Sequence, residues 1–348
     1  MRVAIDKTCI QQIKDLQEYE YIYIFDDEDY QDLLKLNIHC IHKNYIQAVD
    51  INLSSYKINC LKKTKVQDKE WYKLPKIEEN KYAIIVPNYN NDHGNYKGKT
   101  YLQNCIESIL NQSYKEFYLV IVDDMSTDSS VTTIKSYDDE RIHLIQNSRK
   151  RYNGGSRNAG IEYALDNLNF NYFCFLDSDD WWLHKDVLLH INKKIFNNEM
   201  MTLGSQMLFE GGTTCEQLNE FDTYEDIFFC INKIWCTAWS RVIRRDKIAY
   251  FCEDTLMEDR VWSYKQADNV DFENCVCLGE VVYCWNRLNV SNSVSIQRNA
   301  IWNASAWCHI GHQLQFLENL KHKEMAEQLE NRIQACISKA NSGIYQQY

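Results

Sequence analysis

The sequence lacks the features that mark a zinc-bound, secreted or membrane-spanning protein. None of its 14 cysteines forms a C-x-x-C pair, which argues against a zinc site because closely spaced cysteines are the usual signature of one. Residues 1–16 contain no apolar core of a signal peptide, and no stretch reaches the uninterrupted apolar length of a membrane span. We therefore expect reduced thiols and a cytoplasmic location, with peripheral association at a membrane as the alternative.

Positive charge is also scarce, with 38 lysines and arginines against 49 acidic residues and a net charge of −11. This balance disfavours a protein that binds nucleic acid over a broad surface, although it leaves room for a local basic groove. The hydrophobic fraction of 45% is enough for a buried core. A chain of 348 residues can hold one large α/β domain and an accessory module.

From residue 81 onward, short apolar runs alternate with amphipathic segments. Strands are predicted over 82–87, 117–122, 142–146 and 172–176, and helices over 101–111, 128–136 and 155–165. This alternation predicts an α/β fold with a Rossmann-like, mostly parallel sheet flanked by helices and joined by right-handed crossovers. Residues 300–339 have the pattern of one or two amphipathic helices.

The N-terminal part reads as a separate small α/β module. Strands are predicted over 3–5 and 21–25, with a helix over 10–16 between them, and the acidic run 26–29 is interpreted as a solvated helix start. We therefore divide the chain into an accessory module, an α/β domain and a helical extension. These three parts cover residues 1–78, 79–297 and 298–348. Acceptor binding and dimerisation both stay open as roles for the first part.

An acidic turn follows the last predicted parallel strand. Asp177, Asp179 and Asp180 come directly after the apolar run 172–176, at the sheet edge where α/β proteins bind ligands. Carboxylates held this close repel one another unless a cation lies among them, and oxygen ligands suit Mg²⁺ or Mn²⁺. The alternative is a solvated acidic turn with an aspartate capping the next helix, and in either case Asp180 is the residue predicted to cap that helix. His184 is a further candidate for the metal, with a surface helix position as its alternative.

Two other predicted strands also end in polar groups. The glycine-rich run 153–160 lies between the segment 123–128 and the acidic turn. The first strand ends in Pro87, Asn88, Tyr89 and Asn90, and the second runs into the segment 123–128. Because parallel strands end at one edge of a sheet, all these groups are expected to meet in one crevice. Arg157, at the predicted start of a helix, would suit an anionic ligand there.

The segment 81–185 resembles the nucleotide-binding half of a GT-A glycosyltransferase of family 2. Residues 101–124 resemble its run Y-L-x-x-C-I-x-S-I-L-x-Q-x-Y-x-x-F-x-L-x-I-V-D-D, residues 123–128 its D-D-x-S-x-D, and residues 176–180 its D-x-D segment. Residues 200–297 would form the acceptor half. The looser similarities there lie at residues 234–246, 257–262, 282–287 and 292–295.

The resemblance implies a role for each matching residue. Pro87, Tyr89, Asn90 and Asp123 or Asp124 would hold the nucleotide base. Arg157, Asp177 and Ser178 would contact the rest of the donor, and Asp179, with Asp177, would ligate Mn²⁺ or Mg²⁺. Asp259 would be the catalytic base, assisted by Glu258. Trp182, Trp239, Trp262 and Arg287 would contact the acceptor. Without the resemblance, Asp259 would be assigned to an ion pair with Arg260 or Arg245, and each tryptophan to the core.

These assignments predict an inverting, metal-dependent transfer of a sugar from a nucleoside-diphosphate sugar, UDP-sugar by default, to a hydroxyl of a glycan or polysaccharide precursor. Three alternatives stay open: a nucleotidyltransferase, a glycosyltransferase that modifies phage-type DNA bases, and a non-catalytic glycan-binding module. The first would need a glycine-rich basic loop after the first strand, and residues 88–100 are sparse in such residues. The oligomeric state is not determined by the sequence.

Overall fold

The structure is a computed structural model in which the chain divides into two compact units, Met1–Glu78 and Glu79–Tyr348. It describes residues 2–5, 21–24, 40–42, 80–150, 152–195, 197–210, 212–216, 223–229, 237–288 and 300–341. In the first unit, the strands β1 (Arg2–Ile5), β2 (Tyr21–Ile24) and β3 (Cys40–His42) form a parallel sheet in that order. Both strands predicted there are present, whereas the predicted helix over 10–16 and the acidic run 26–29 lie outside the described residues.

The second unit is built on a nine-stranded sheet with the order β6-β5-β4-β7-β11-β9-β12-β8, and β10 pairs with β9. The first four strands in this order are parallel, as predicted. The next strand, β11, is antiparallel to both its neighbours, and β12 runs parallel to β9. The strands are β4 (Tyr82–Asn88), β5 (Phe117–Asp123), β6 (Ile142–Gln146), β7 (Tyr172–Phe175), β8 (Trp181–Trp182), β9 (Met200–Phe209), β10 (Gly212–Glu216), β11 (Arg241–Arg244) and β12 (Cys275–Asn286).

The helices follow the predicted order with shifted ends. The helix predicted over 155–165 already begins at Asn153, and the segment 300–339 forms two helices separated by a 3₁₀ turn. The helices are α1 (Tyr101–Leu110), α2 (Ser130–Lys135), α3 (Asn153–Asn167), α4 (Val187–Ile195), α5 (Tyr224–Phe229), α6 (Glu258–Asp268), α7 (Ala300–Glu318) and α8 (Ala326–Asn341). Short 3₁₀ turns lie at Ala238–Ser240, Arg245–Lys247, Phe272–Asn274 and Lys323–Met325.

Two hydrophobic clusters cover the two faces of the sheet. Alternate residues of β4 enter different clusters: Tyr82, Ile84 and Val86 face α1 and α4, whereas Ala83 and Ile85 face α3, α6 and the C-terminal helices. Every residue of β4 is therefore buried, which explains why this strand reads as a continuous apolar run rather than an alternating one. The C-terminal helices share the second cluster through Ile310, Leu329 and Ile333.

His309 on α7 is a buried histidine whose two ring nitrogens have no hydrogen-bond partner among the described residues. Burial, followed by the charges of Arg260 and His312, lowers its pKa to about 3. Below pH 6.5 the His309 imidazole is protonated in the unfolded chain but stays neutral in the folded chain. The free energy of unfolding therefore decreases as the pH falls towards 3. The loss is about 1.4 kcal/mol per pH unit.

We expect His309→Leu to remove this loss. Urea unfolding at pH 7 and pH 5 should show a smaller decrease in the free energy of unfolding for His309→Leu than for the wild type, by about 2 kcal/mol. His322→Gln is the control, because His322 is partly exposed, pairs with Asp268 and is not among the groups that lower the pKa of His309. If His309→Leu and the wild type lost the same free energy on acidification, His309 would not be the neutral buried group described.

Candidate active site at the carboxyl edge of the sheet

The predicted strand ends meet at one edge of the sheet. Asn88, the last residue of β4, lies opposite Asp123, the last residue of β5, and Asp123 lies opposite Gln146 at the end of β6. The end of β7 is registered beside Ile85 of β4, so the acidic turn that follows β7 begins at the same edge. The structure thus brings together the segments that the sequence placed in one crevice.

Asp123 and Asp124 are buried and organise the loops at this edge. Asp123 accepts hydrogen bonds from the side-chain amide of Asn88 (3.1 Å) and from the amide N–H of Ser126 (3.1 Å). Asp124 accepts from the side-chain amide of Asn147 (2.7 Å) and the amide N–H of Tyr152 (2.9 Å). These contacts shape the wall of the crevice, and binding of a nucleotide base by either carboxylate stays a prediction.

The loop after β4 is fixed by Asn90. Its backbone has a φ of +52°, a conformation that asparagine tolerates better than most residues. Its side-chain oxygen accepts hydrogen bonds from the amide N–H groups of Thr127 (2.7 Å) and Asp128 (3.3 Å). Pro87 is buried in β4, whereas Tyr89 is 47% exposed. Of the three residues assigned to the donor here, Tyr89 is the most exposed.

Burial alternates along the acidic turn. Asp177 and Asp179 are half-buried, whereas Ser178 and Asp180 are each 1% exposed. Ser178 accepts a hydrogen bond from the side-chain amide of Asn91 (2.6 Å), which ties the turn to the loop after β4. Asp177 and Asp179 therefore face the crevice, and the side chains of Ser178 and Asp180 hold the turn in place.

Asp180 does not cap the following helix, which corrects the sequence interpretation. Its carboxylate accepts hydrogen bonds from the hydroxyl of Tyr283 (2.6 Å) and the amide N–H of Asn286 (2.8 Å), both on β12. The Tyr283 hydroxyl also accepts from the amide N–H of Asp177 (3.3 Å). Burial, with repulsion from Asp179 and Asp177, raises the pKa of Asp180 well above its usual range. No local sequence pattern indicates these contacts, because β12 lies about a hundred residues further along the chain.

Arg157 is the centre of the site. Its guanidinium, 1% exposed, lies 2.6 Å from Asp177 Oδ1, 2.7 Å from Glu258 Oε1 and 3.2 Å from Asp259 Oδ1. The sequence placed Arg157 at a helix start, facing an anionic ligand. In the structure α3 begins at Asn153, so Arg157 lies within the helix and contacts carboxylates of the protein itself. The predicted start of the helix is thereby corrected, whereas the contact of Arg157 with the donor stays a prediction.

A close backbone contact allows α3 to begin so early. A Cβ atom on Gly155 would lie 1.8 Å from the carbonyl oxygen of Lys150, far inside any permitted contact. Only glycine therefore lets the loop before α3 pack against its first turn. This packing fixes the start of the helix and hence the position of Arg157.

The carboxylates around Arg157 outnumber it three to one. Burial, followed by repulsion from Asp259, raises the pKa of Glu258 to about 8, although Arg157 opposes the shift. Burial also raises the pKa of Asp259, to about 6, again against the effect of Arg157. Although burial alone would lower it, the pKa of Arg157 lies above its usual range because the three carboxylates surround it. The cluster therefore favours an additional proton or cation.

Asp259 and Glu258 form the first turn of α6. The ion pair of Asp259 with Arg260 or Arg245, which was the alternative to a catalytic role, is not formed; Asp259 pairs with Arg157. Arg245 instead donates to the carbonyl oxygens of Leu165 and Leu168. The Asp259 side chain is 27% exposed, whereas that of Glu258 is 7% exposed. Asp259 is therefore the one of the two that a second substrate could reach.

The three tryptophans assigned to the acceptor are core residues, which corrects that prediction. Trp182, Trp239 and Trp262 are 3%, 4% and 0% exposed. Trp262 donates its indole N–H to the carbonyl oxygen of Ala249 and stacks on Phe251, and Trp239 stacks on Tyr283 with ring centroids 4.3 Å apart. Their faces are covered by protein, so they offer no platform to a sugar. Arg287 lies over the ring of Trp285, and its acceptor role stays a prediction.

A comparison with known families finds a match over the part of the chain that contains these strand ends. The family model described as "Glycosyl transferase family 2" matches residues 83–251. This segment belongs to glycosyl transferase family 2. The match covers the strand ends, Arg157 and the acidic turn, whereas Glu258 and Asp259 lie just beyond it.

Two curated relatives match the family 2 segment. Glycosyltransferase GlyA of Streptococcus pneumoniae serotype 4 is 36% identical over 125 residues, which are 34% of this chain and 16% of GlyA. The Escherichia coli UDP-Glc:alpha-D-GlcNAc-diphosphoundecaprenol beta-1,3-glucosyltransferase WfgD is 30% identical over 123 residues, 35% of this chain and 44% of WfgD. The chain thus spans less than half the length of either relative.

The fold of the family 2 domain also has solved counterparts. The crystal structure of Staphylococcus aureus TarS residues 1–349 in complex with UDP-GlcNAc superposes with a TM-score of 0.51 at 19% identity, covering 67% of this chain and 66% of that one. The likeness confirms the predicted GT-A type of α/β fold. Within the described residues, no helix combines the length and the apolar character needed to cross a bilayer.

We expect removal of the Arg157 charge to be costly. Arg157→Met should lower the free energy of unfolding at pH 8 by about 3–5 kcal/mol, because buried carboxylates are left without their cation. The loss should be smaller at pH 5, where Glu258 and Asp259 take up protons. Urea unfolding at both pH values measures it. Arg149→Met is the matched control, since Arg149 forms its two carboxylate pairs at the surface and should cost about 1 kcal/mol or less. Equal losses in the two variants would contradict this account of the cluster.

Proposed function

We propose that this protein is an inverting, metal-dependent glycosyltransferase that transfers a sugar from a nucleoside-diphosphate sugar to an acceptor hydroxyl. The observation that carries the proposal is the Arg157 cluster. It joins Asp177 of the acidic turn to Asp259, which is separated from it by more than eighty residues of sequence. The carboxylate of Asp177 would bind a metal ion at the donor diphosphate, and the carboxylate of Asp259 would deprotonate an acceptor. The Arg157 cluster thereby holds both carboxylates in one crevice. The family of residues 83–251 supports the same reaction class.

The acidic turn fits a hard divalent cation. Asp177 and Asp179 present half-buried carboxylates from alternate positions of one turn, and carboxylate oxygens are the ligands that Mg²⁺ and Mn²⁺ prefer. A cation held there would stabilise the negative charge that develops on the leaving nucleoside diphosphate. Asp180 contributes by fixing the turn to β12 rather than by binding the metal, since both its oxygens already accept hydrogen bonds.

Asp259 is the proposed general base. It would accept the proton of the acceptor hydroxyl as the hydroxyl oxygen bonds to the anomeric carbon and the bond to the diphosphate oxygen breaks. Its pKa, raised to about 6 by burial, leaves it ionised yet basic near neutral pH. Arg157 and Glu258 position it. A single base opposite the leaving group corresponds to one displacement, which inverts the anomeric centre.

A UDP-sugar donor and a glycan-precursor acceptor are the favoured substrates. WfgD bears a name that specifies UDP-glucose and a diphosphoundecaprenol-linked sugar, and TarS was crystallised with UDP-GlcNAc. Tyr89 is 47% exposed and follows Asn88, which lies opposite the buried Asp123. This arrangement supports a site for a planar base at the end of β4 and β5.

We expect one nucleotide sugar to stabilise the protein in the presence of Mn²⁺. A ligand at one hundred times its Kd adds about 2.7 kcal/mol to the free energy of unfolding, and a thermal-shift panel of UDP-, GDP- and dTDP-sugars with Mn²⁺ or EDTA would detect it. EDTA should abolish the shift, and so should Asp179→Asn. The absence of a response to every donor would count against the proposed function as a whole.

We expect Asp259→Asn to retain donor binding but to lose turnover by about 10²-fold or more, because the base is removed while the donor contacts remain. Product analysis with a panel of acceptors measures the transfer, and the donor thermal shift reports binding separately. Asp254→Asn is the control, since Asp254 is an exposed carboxylate paired with His312. Unchanged turnover in Asp259→Asn would remove Asp259 as the base. Release of pyrophosphate instead of sugar transfer would identify a nucleotidyltransferase, and sugar found on DNA carrying modified bases would identify the other acceptor class.

A further inference from the structure

A second group of metal-ligating side chains lies outside the catalytic residues. His184, His190 and Glu280 bring one ligand atom each to within 4.8 Å of one another. His184 Nε2 lies 3.3 Å from Glu280 Oε1, and His190 Nδ1 lies 2.8 Å from Glu280 Oε2. All three side chains are partly accessible, between 30% and 38% exposed, so a dissolved ion can reach them.

The backbone around the two histidines is held in place by a buried residue. Gln112, which is fully buried, donates its side-chain N–H to the carbonyl oxygen of His184 (2.8 Å) and accepts from the amide N–H of Leu188 (3.0 Å). One glutamine thus joins the segment after β8 to the first turn of α4. The two imidazoles are therefore preorganised, with ring centroids 5.4 Å apart.

A bulge in β12 presents Glu280 to the histidines. The register between β12 and β9 shifts between Cys277 and Val281, and Gly279 within this interval has a φ of +72°. An extra residue at such a bulge turns the following side chain out of the regular alternation. The side chain that this bulge orients is a carboxylate that pairs with two imidazoles.

We propose that His184, His190 and Glu280 form a second metal site, for a divalent transition ion of the class that imidazole favours, with Zn²⁺ as the best match. Zn²⁺ binds histidine nitrogen and carboxylate oxygen at about 2.0–2.2 Å, which places neighbouring ligand atoms of a tetrahedron about 3.4 Å apart. The three ligand atoms, one from each side chain, lie within 4.8 Å of one another, so small rotations of the side chains would bring them to that spacing. Three protein ligands leave a fourth position for water.

The ligand chemistry separates this site from the acidic turn. Asp177 and Asp179 offer oxygen alone, which suits Mg²⁺ and Mn²⁺, whereas two imidazoles favour Zn²⁺, Ni²⁺ or Cu²⁺. His184 Nδ1 accepts a long hydrogen bond from the amide N–H of Asp186 (3.3 Å). Metal binding at Nε2 moves the ring proton to Nδ1 and ends this contact. Since a contact of that length is weak, the coordination bonds outweigh it.

The bound ion would connect three parts of the fold. His184 follows β8, His190 lies in α4, and Glu280 lies in β12. β8 directly follows the acidic turn, and β12 supplies the hydroxyl of Tyr283 to Asp180. The ion would therefore add a second connection between β12 and the segment that contains the acidic turn and β8. We therefore expect the ion to raise the stability of this region independently of sugar transfer, although its open fourth position differs from the closed sites formed by four protein ligands.

Titration of the metal-free protein with Co²⁺ tests the proposal. Co²⁺ in a tetrahedral nitrogen–oxygen site gives strong visible bands, and the absence of a thiolate charge-transfer band would show that cysteines are not the ligands. We expect the wild type and Asp179→Asn to bind this Co²⁺ equally, and Zn²⁺ to displace it. His190→Gln and Glu280→Gln should each weaken binding at least tenfold, whereas the control His312→Gln should not.

Thermal unfolding provides the second readout. Zn²⁺ should raise the Tm of the wild type and of Asp179→Asn but not that of His190→Gln, and all variants should have similar Tm values in EDTA. The proposal is overturned if no tetrahedral Co²⁺ spectrum forms, or if His190→Gln and Glu280→Gln bind Co²⁺ as the wild type does. Loss of the spectrum in Asp179→Asn alone would assign the ion to the acidic turn instead. Because donor binding is not measured, failure here leaves the proposed function untouched.

Discussion

The site depends on one buried guanidinium that is shared by three carboxylates. Arg157 joins the turn after β7 to the first turn of α6 by pairing with Asp177, Glu258 and Asp259. A buried cation costs free energy unless it is paired, and buried carboxylates have the same need. The four groups therefore stabilise one another only in this arrangement. That mutual requirement fixes the distance between the proposed metal ligands and the proposed base.

The excess of negative charge gives the arrangement its chemical character. One arginine cannot neutralise Asp177, Glu258 and Asp259 together, and burial raises the pKa values of the latter two. The cluster is thus suited to receive positive charge, whether a metal ion beside Asp177 or a proton taken from an acceptor by Asp259. Glu258 is the more deeply buried of the pair, so its pKa is raised further. Its carboxylate also pairs with Arg157.

Differences in burial also give the residues of the acidic turn different roles. Side chains at alternate positions face opposite ways, so Asp177 and Asp179 reach the crevice while Ser178 and Asp180 anchor the turn. Asp180 is held by Tyr283 and Asn286. Since Tyr283 also stacks on Trp239, an aromatic pair of the core supports the acidic turn. The tryptophans thus serve the site as structure rather than as contacts for a sugar.

The sequence by itself determined the order of the elements, the parallel strands β4 to β7 and the convergence of their ends. These follow from local apolar runs and from the rule that parallel strands end at one edge. Only the tertiary structure decided which side chains pair across that edge. Arg157 meets Glu258 and Asp259 across about a hundred residues of sequence, Asp180 meets β12, and two histidines meet Glu280. Such contacts leave no local periodic signal, because each is set by how helices and strands pack. The sequence therefore identified the residues of the site, and packing decided which of them act on a substrate and which hold the others in place.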